Sequence, residues 1–355
     1  MLPQRVYDAD TTRSLVIAAV VVVSFLGLFV RYRRRNGRVN PGLKAVLITG
    51  CDSGFGHALA ERLDADGYKV FAGCLDANCE GARLLQSKTS PKLELIQLDV
   101  TEDEQIEAAR VAVAELLMGN VLWAVVNNAG VACHAEFEWT PKKTFQKIIE
   151  VNLMGVVNVT RAFLPLVRAA KGRVVNISSM AGRTALPGFT AYSASKFAVL
   201  GFSDSLRREM KHFGVKVITL EPALYKTAMA STSTVLSQND AFWSNAEPGV
   251  RRDYGDNFFS DTQAARKNLM RWASDNVHEV VDDYMDAITA TRPCSRYVAP
   301  LSLRILNDAM TALFTRVQDA IIGYITGVRA RPDMLCPLLH ENNNRGMGRR
   351  RSHAT

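Results

Sequence analysis

Apolar residues along this chain fall into two rhythms. Short runs rich in apolar residues at 45–48, 69–73, 93–98, 122–126, 174–177 and 215–220 read as buried strands of a parallel sheet. Between them, 57–66, with Leu59 and Leu63 four apart, and 145–161 repeat at helical spacing. Strands alternating with helices in this way predict an α/β fold built on a doubly wound parallel sheet. The two ends differ. Residues 14–30 are seventeen positions without a charge, at the lower limit for a helix that spans a bilayer. Residues 301–328 place Leu303, Leu306, Met310, Leu313, Phe314, Val317, Ile321 and Ile325 near helical spacing with few charges, which predicts an apolar C-terminal helix.

Charge orients the N-terminal segment. Arg5, Asp8, Asp10 and Arg13 cancel ahead of it, whereas five arginines follow between Arg31 and Arg38. The positive-inside bias then puts the rest of the chain on the cytosolic or matrix side of a single-pass anchor, in the endoplasmic reticulum or the mitochondrion. A cleaved signal is the rival reading, but no small-x-small site follows. The net charge is +8 over 355 residues, and four more arginines lie between Arg345 and Arg351. These nine exceed the net charge, so the folded body is close to neutral and a nucleic-acid groove on it is excluded. The six cysteines show no C-x-x-C pair, which fits free thiols better than a disulfide framework or a zinc site. The expected organisation is an anchor and basic linker at 1–43, an α/β domain at 44–300, an apolar extension at 301–340 and a disordered basic tail at 341–355.

Directly after the first strand comes Thr49-Gly50-Cys51-Asp52-Ser53-Gly54-Phe55-Gly56, and a helical pattern follows. A glycine-rich turn between strand and helix lets backbone amides approach a pyrophosphate at the helix N-terminus. A plain tight turn is the alternative. Gly50, Ser53, Gly54, Phe55 and Gly56 are the expected contacts. Cofactor choice is read at the end of the second strand, where Cys74 stands, followed by Leu75 and Asp76. No basic residue occurs between Gly73 and Asn78, which favours NAD over NADP, with Asp76 as the candidate carboxylate for the ribose. Asp99 ends the third strand as a candidate acceptor for the adenine amino group, with Val100 beside it. Asn127-Asn128-Ala129-Gly130 ends the fourth strand, where small and amide residues suit a backbone packed against a cofactor. Asn152 lies in an apolar helical stretch and is expected to be buried with a role of its own.

Tyr192 and Lys196 are four apart, hence one above the other on a helix face. An ammonium close to a phenol favours phenolate, which would lower the Tyr192 pKa and make it a general acid or base near neutrality. Ser179, thirteen residues earlier at the end of a strand, is placed to hydrogen-bond a substrate oxygen beside Tyr192. A Y-x-x-x-K on its own is more often a solvated helix face.

In combination, T-G-x-x-x-G-x-G, N-N-A-G, the helical Asn, N-I-S-S, Y-x-x-x-K and a strand followed by E-P resemble the short-chain dehydrogenase/reductase family over about residues 44–300. Residues 44–56 and 172–182 are similar to its membrane-bound branch of D-β-hydroxybutyrate dehydrogenase, retinol dehydrogenases and 17β-hydroxysteroid dehydrogenase. The resemblance implies a Rossmann-type sheet of about seven strands and an NAD-dependent oxidoreductase interconverting alcohol and ketone. It implies a tetrad in which Tyr192 exchanges the proton, Ser179 polarises the oxygen, Lys196 depresses the tyrosine pKa and holds the ribose, and Asn152 positions a relay water. Pro222 is implied beside the nicotinamide, and a homo-oligomer through helices around Phe145 and Phe197.

One departure is Ala223 where the family has glycine, which puts the loop beside the nicotinamide in question. Residues 225–271 read as a mobile lid of short helices, with a solvated insertion as the alternative. His134, Arg183, Arg251 and Arg252 are candidates to pair with a substrate carboxylate. Phe71-Ala-Gly-Cys-Leu, Arg252-Asp-Tyr-Gly and 290–297 are similar to the hydroxybutyrate enzyme, and this substrate is favoured over a retinoid or steroid. The anchor and the apolar C-terminal helix point to the lipophilic substrates instead. A catalytically idle membrane scaffold is disfavoured because the whole tetrad stands.

Overall fold

The computed structural model describes residues 37–227, 230–328 and 332–335. The N-terminal apolar segment and the 341–355 tail lie outside the described residues. Seven strands form one all-parallel sheet: β1 (Lys44–Thr49), β2 (Lys69–Cys74), β3 (Leu93–Gln97), β4 (Val121–Asn127), β5 (Arg173–Ile177), β6 (Lys216–Pro222) and β7 (Arg296–Ala299). Their order is β3-β2-β1-β4-β5-β6-β7, so the winding reverses between β1 and β4. That reversal opens a crevice at the carboxyl ends of the strands, where open α/β sheets bind ligands.

Helices α1 (Gly54–Ala65), α2 (Glu80–Lys88) and α3 (Asp103–Leu116) connect the first four strands. Then α4 (Lys142–Ile149) runs through a π-helical turn, Glu150–Met154, into α5 (Gly155–Ala169). Among the described residues this continuous stretch, Lys142–Ala169, is the one helix long and apolar enough to cross a membrane. In the fold α5 instead buries Val156, Val159, Phe163 and Val167. Helix α6 (Thr190–Met210) carries the Y-x-x-x-K. Two core clusters flank the sheet, one including Val46, Ile48, Leu59, Leu63, Val70 and Tyr284, the other including Leu47, Phe71, Ile106, Val159, Phe163 and Val217. Alternate residues of β1 and β2 feed opposite clusters, as the period of two requires: Val46, Ile48, Val70 and Ala72 on one side, Ala45, Leu47 and Phe71 on the other.

The segment expected as short lid helices forms α7 (Thr232–Ser244) and α8 (Pro248–Met270), and α8 is broken into two shorter helical pieces at Gly255, whose backbone is non-helical with φ +79° and ψ 156°. Ser231 caps α7 by accepting from the Thr234 amide, and Pro248 starts α8 with the fixed φ that a first helical position tolerates. They carry a core of their own, in which Trp243 stacks on Phe259 at 4.8 Å and meets Trp139 edge-on at 5.0 Å. This buried aromatic contact sets the lid apart from a solvated insertion. Beyond α9 (His278–Thr289), the C-terminal stretch expected as one helix is two, α10 (Leu301–Ala312) and α11 (Thr315–Thr326). The backbone is extended at Leu313 and Phe314, although neither glycine nor proline occurs there. Helix α11 buries no residue, and Phe314, Tyr324 and Ile325 are exposed.

Arg173 is wholly buried in β5 and closes the C-terminal end of α9. Its guanidinium donates to the carbonyls of Ala287 and Ala290, each at 2.6 Å, and stacks over Trp123. A cation suits the negative end of a helix, and the burial is tolerable because the carbonyls replace water. Arg173→Met strips both carbonyls of a charged donor, and urea unfolding is expected to register a loss of about 3 kcal/mol.

Candidate active site

The glycine turn is shaped by what it touches. Gly50 has φ +71°, and a Cβ on it would sit 2.9 Å from the Ala129 Cα. On Gly56 a Cβ would meet the Gly50 carbonyl oxygen at 2.3 Å and the Asn128 amide at 2.5 Å. The turn therefore lies flat against the end of β4 and has no room for side chains there. Polar bonds hold the contact: Asn128 and Ala129 donate backbone amides to the Thr49 hydroxyl at 3.1 and 2.9 Å, and the Asn128 side chain donates to the carbonyls of Thr49 and Gly50, both at 3.0 Å. Tyr284 from α9 donates to Asn128 Oδ1 at 3.1 Å.

The start of α1 is left uncapped. Ser53 makes no side-chain cap bond, no acidic residue occupies the first turn, and a Cβ on Gly54 would meet nothing within 4 Å. Unpaired helix-start amides facing open space fit the pyrophosphate of a dinucleotide. Phe55 is turned the other way and meets Tyr225 edge-on at 5.7 Å.

At the end of β2 the sequence expectation needs adjustment. The Cys74 side chain is wholly buried in the core and donates to the Ala72 carbonyl, and burial pushes its thiol up to about 12. Its side chain is thus turned away from the crevice. The next residues, Leu75 and Asp76, are exposed, and Asp52 of the glycine turn accepts from both their amides, at 3.1 and 3.3 Å. Asp99 accepts from the Thr101 amide and hydroxyl, which fixes the turn after β3. Val100 fills the space where a Cβ on Gly155 would stand, 2.6 Å from its Cγ2.

Asn152, Ser179, Tyr192 and Lys196 converge on the other side of the same crevice. Asn152 sits in the π-helical turn and is wholly buried, and its role is visible. It accepts from the Val131 amide at 2.8 Å and donates to the Val131 carbonyl at 2.9 Å and to Ser195 Oγ at 3.0 Å. A Cβ on Gly130 would lie 3.3 Å from Asn152 Oδ1 and 3.7 Å from Lys196 Nζ, so these groups share one small volume. Lys196 donates to the Ile177 carbonyl at 3.1 Å, and its ammonium lies over the Tyr192 ring, 5.6 Å from the centroid. Ser179 hydrogen-bonds the Tyr192 phenol, and its hydroxyl also donates to the Pro222 carbonyl at 3.3 Å.

The expected lowering of the phenol pKa does not appear. Burial raises the Tyr192 pKa and the Ser179 hydrogen bond offsets this only in part. The ammonium is held on a carbonyl and over the ring face, so desolvation wins. Burial also brings Lys196 down to about 8. Ala223 requires no left-handed backbone, since it is not among the described residues with positive φ. The doubt attached to its replacing glycine is removed.

The family model for short chain dehydrogenase matches residues 44–235. The chain belongs to that family. It is an oxidoreductase acting on a CH–OH group. Retinol dehydrogenase 16 of Homo sapiens is 40% identical over 306 residues, covering 85% of this chain and 96% of that one. 17-beta-hydroxysteroid dehydrogenase type 6 of Bos taurus is 41% identical, covering 79% and 87%. The mitochondrial D-beta-hydroxybutyrate dehydrogenase of Bos taurus is 42% identical, covering 76% and 81%. Among solved structures, a short chain dehydrogenase of Burkholderia phymatum in complex with NAD superposes with a TM-score of 0.62 at 23% identity, covering 79% of this chain and 94% of that one.

The candidate substrate cations of this dehydrogenase are mostly spoken for. His134 is buried against Phe189, ring to ring at 4.7 Å, and burial drops its pKa to about 4, so it is neutral at physiological pH. Arg183 donates to Asp308 at 2.5 Å. Arg252 lies 3.3 Å from Asp253, and Arg251 is exposed on α8. Sequence reasoning missed Arg266, which pairs with Glu136 in the buried lid, and it missed the anchoring duties of Thr49 and Asp52. Only Thr49 left a signal, as the threonine opening the glycine motif.

Lys196 yields a prediction on stability. Its folded pKa of about 8 lies below the unfolded value near 10.4, so the unfolded chain binds more protons between these values. Stability of the wild type relative to Lys196→Met is expected to rise from pH 8 to 10.4, by on the order of 3 kcal/mol. Chemical unfolding of both proteins across that range measures it, and a constant difference contradicts it.

Proposed function

We propose that this dehydrogenase is a membrane-anchored enzyme that uses NAD to interconvert a lipophilic alcohol, of the retinoid or steroid class, with its carbonyl compound. The observation that carries the substrate class is the state of the cations near the site. His134 is neutral, Arg183 is bonded to Asp308 and Arg266 to Glu136. Held by Arg183 or Arg266, a small carboxylate would have to displace Asp308 or Glu136, which leaves the exposed Arg251 and Arg252 of α8 as the cations open to it. Trp243, Tyr254, Phe258 and Phe259 of the lid pack with Trp139 in a cluster that includes Ala191, next to Tyr192, which supports apolar surroundings for the site. Most ligand sites are lined in this apolar way with few polar groups.

The cofactor residues follow from the fit already described. The uncapped start of α1, with Gly50, Ser53, Gly54 and Gly56, would hold the pyrophosphate, and Asn128, Ala129 and Gly130 would form the floor. The carboxylate of Asp76, with no Lys or Arg between Gly73 and Asn78, supports NAD over NADP. When bound, the nicotinamide takes up or returns the hydride of the carbinol carbon.

The chain supplies the proton chemistry. Tyr192, kept protonated by burial, would give its proton to a carbonyl oxygen or take one from an alcohol, and Ser179 would hold that same oxygen. Lys196, near pH 8, carries a positive charge at neutrality that would stabilise phenolate as it forms. Asn152 fixes the Val131 backbone, and thereby the wall of the site, by its two bonds there. The anchor at 14–30 would deliver a bilayer-borne substrate, with Phe314, Tyr324 and Ile325 exposed on the same chain. Phe197, 45% exposed on α6, supports pairing of two copies through that helix.

The second reading, D-3-hydroxybutyrate, rests on the local resemblances and the 42% identical bovine relative. All-trans-retinol, a 17β-hydroxysteroid and D-3-hydroxybutyrate assayed with NAD and NADP decide between them. The lipophilic alcohols are expected to win in kcat/KM by roughly 10²-fold or more. Faster turnover of hydroxybutyrate refutes the lipophilic assignment. Tyr192→Phe is expected to lower kcat by roughly 10²- to 10⁴-fold while NADH affinity, followed by fluorescence, stays near that of the wild type.

A further inference from the structure

The turn that carries Ser179 is gripped from both sides. Ser178 donates to the Lys196 carbonyl at 2.9 Å, and a Cβ on Gly182 would meet Ser178 Oγ at 2.6 Å and the Lys196 carbonyl oxygen at 2.8 Å. This side of the turn is therefore pressed onto α6. On the other side, Arg183 donates to Asp308 Oδ1 at 2.5 Å and Thr184 donates to Asn307 Oδ1 at 3.1 Å. Both partners belong to α10, outside the residues matched by the family model. Asn307 is itself buried.

Arg183 also faces inward. Its guanidinium lies 3.8 Å from Glu221 Oε2, an atom without a hydrogen-bond partner in a wholly buried carboxylate. Glu221 directly precedes Pro222, whose carbonyl accepts the Ser179 hydroxyl. The groups facing Glu221 are Arg183 from the turn, Arg296 of β7 at 3.9 Å, the Thr219 hydroxyl of β6 at 3.2 Å, and Asp308 of α10 behind Arg183. Arg296 is drawn off by Asp204 at 2.8 Å, and Asp204 is shared with Arg207. A buried carboxylate held by two distant cations is sensitive to the loss of either.

We propose that Arg183 is a positioning residue that joins the C-terminal helix α10 to the Ser179 turn by bridging Asp308 and Glu221. The bridge fixes the turn against the end of β6 and sets a cation beside the Glu221 carboxylate beneath it. Helix α10 is then a working part of the active site. The inference rests on Ser179 and Tyr192 acting as proposed above, and holds for any of the three alcohols.

Burial raises the Glu221 pKa, while Arg296 and Arg183 lower it and Asp308 raises it. Removing Arg183 raises it further, so protonation begins at higher pH and the turn loosens as pH falls. The test compares wild type, Arg183→Met, Arg183→Lys, Asp308→Asn and the double variant Arg183→Met with Glu221→Gln, all saturated with NADH. Amide hydrogen exchange is read at Gly182, Arg183 and Thr184 and, as a control, along α1. Exchange at the turn is expected to quicken at least about 10-fold in Arg183→Met, less in Asp308→Asn, with recovery in Arg183→Lys and no change in α1.

With whichever alcohol turns over, kcat of Arg183→Met is expected to fall roughly 10- to 100-fold with KM for NAD little changed. It should gain an acid limb that the wild type and the double variant lack. Unchanged exchange at the turn in both Arg183→Met and Asp308→Asn overturns the proposal, as does a pH profile of Arg183→Met parallel to the wild type. Should Arg183→Met fail to fold, Asp308→Asn, altered on the half-exposed side of the bridge, carries the exchange test alone. If Ser179→Ala and Tyr192→Phe keep full turnover, the underlying assignment fails instead, which separates the two failures.

Discussion

The contact between the glycine turn after β1 and the end of β4 sets the terms for everything around it. Two backbones approach so closely that a methyl on Gly50 or Gly56 would overlap main-chain atoms. The Thr49 hydroxyl, taking two amides from the opposite strand end, and the Asn128 side chain, spanning two carbonyls, replace the side-chain packing that would otherwise fill such a joint. Because the strand order reverses at this pair, the joint is also the floor of the crevice. The helix amides of α1 are then free to face outward, where an anionic cofactor would meet them.

From this floor a series of buried polar groups carries position across the sheet. The Asn127 side chain donates to Thr160 of α5 and to Asn176 of β5, each at 2.8 Å, and Asn176 donates to Ser203 of α6 at 2.9 Å. Asn152 reaches α6 again through Ser195. Apolar packing is tolerant of small slides, whereas a buried hydrogen bond is costly to break and specifies one register. The helix bearing Tyr192 and Lys196 is thereby locked to β5, the strand that leads into the Ser179 turn. The burial that locks them also reverses the expected electrostatics: it raises the phenol pKa and lowers that of the ammonium.

Most of the fold was legible because the strands are short apolar runs separated by amphipathic helices, and each run fell within a residue or two of the observed strand. The tetrad and the glycine turn were legible as motifs. Less was readable where the outcome depends on neighbours distant in sequence. The chain near Leu313 contains no breaker, yet α10 stops there. Polar composition hid the lid core, because Trp139, Trp243 and Phe259 join only when two helices fold together. Cys74 stood at the expected position for a cofactor contact, but the pleat turns its thiol inward. Arg183 read as a candidate for a substrate carboxylate because its actual partners lie 38 and 125 residues away.

Those long-range pairs have one physical theme. Around the site, cations and carboxylates are matched within the protein: Arg266 with Glu136, Arg183 with Asp308, Arg296 with Asp204 and, more distantly, Glu221. Pairing is what makes charge tolerable in a region closed by an aromatic lid, since a lone buried charge costs far more than a pair. The arrangement has a consequence for recognition. An anionic substrate must compete with a carboxylate already in place and pays for desolvating its own charge. On the proposed reading, an uncharged alcohol would meet the hydroxyls of Ser179 and Tyr192 without that cost. The charge pairing that stabilises the lid region is thus consistent with the lipophilic substrate class proposed above.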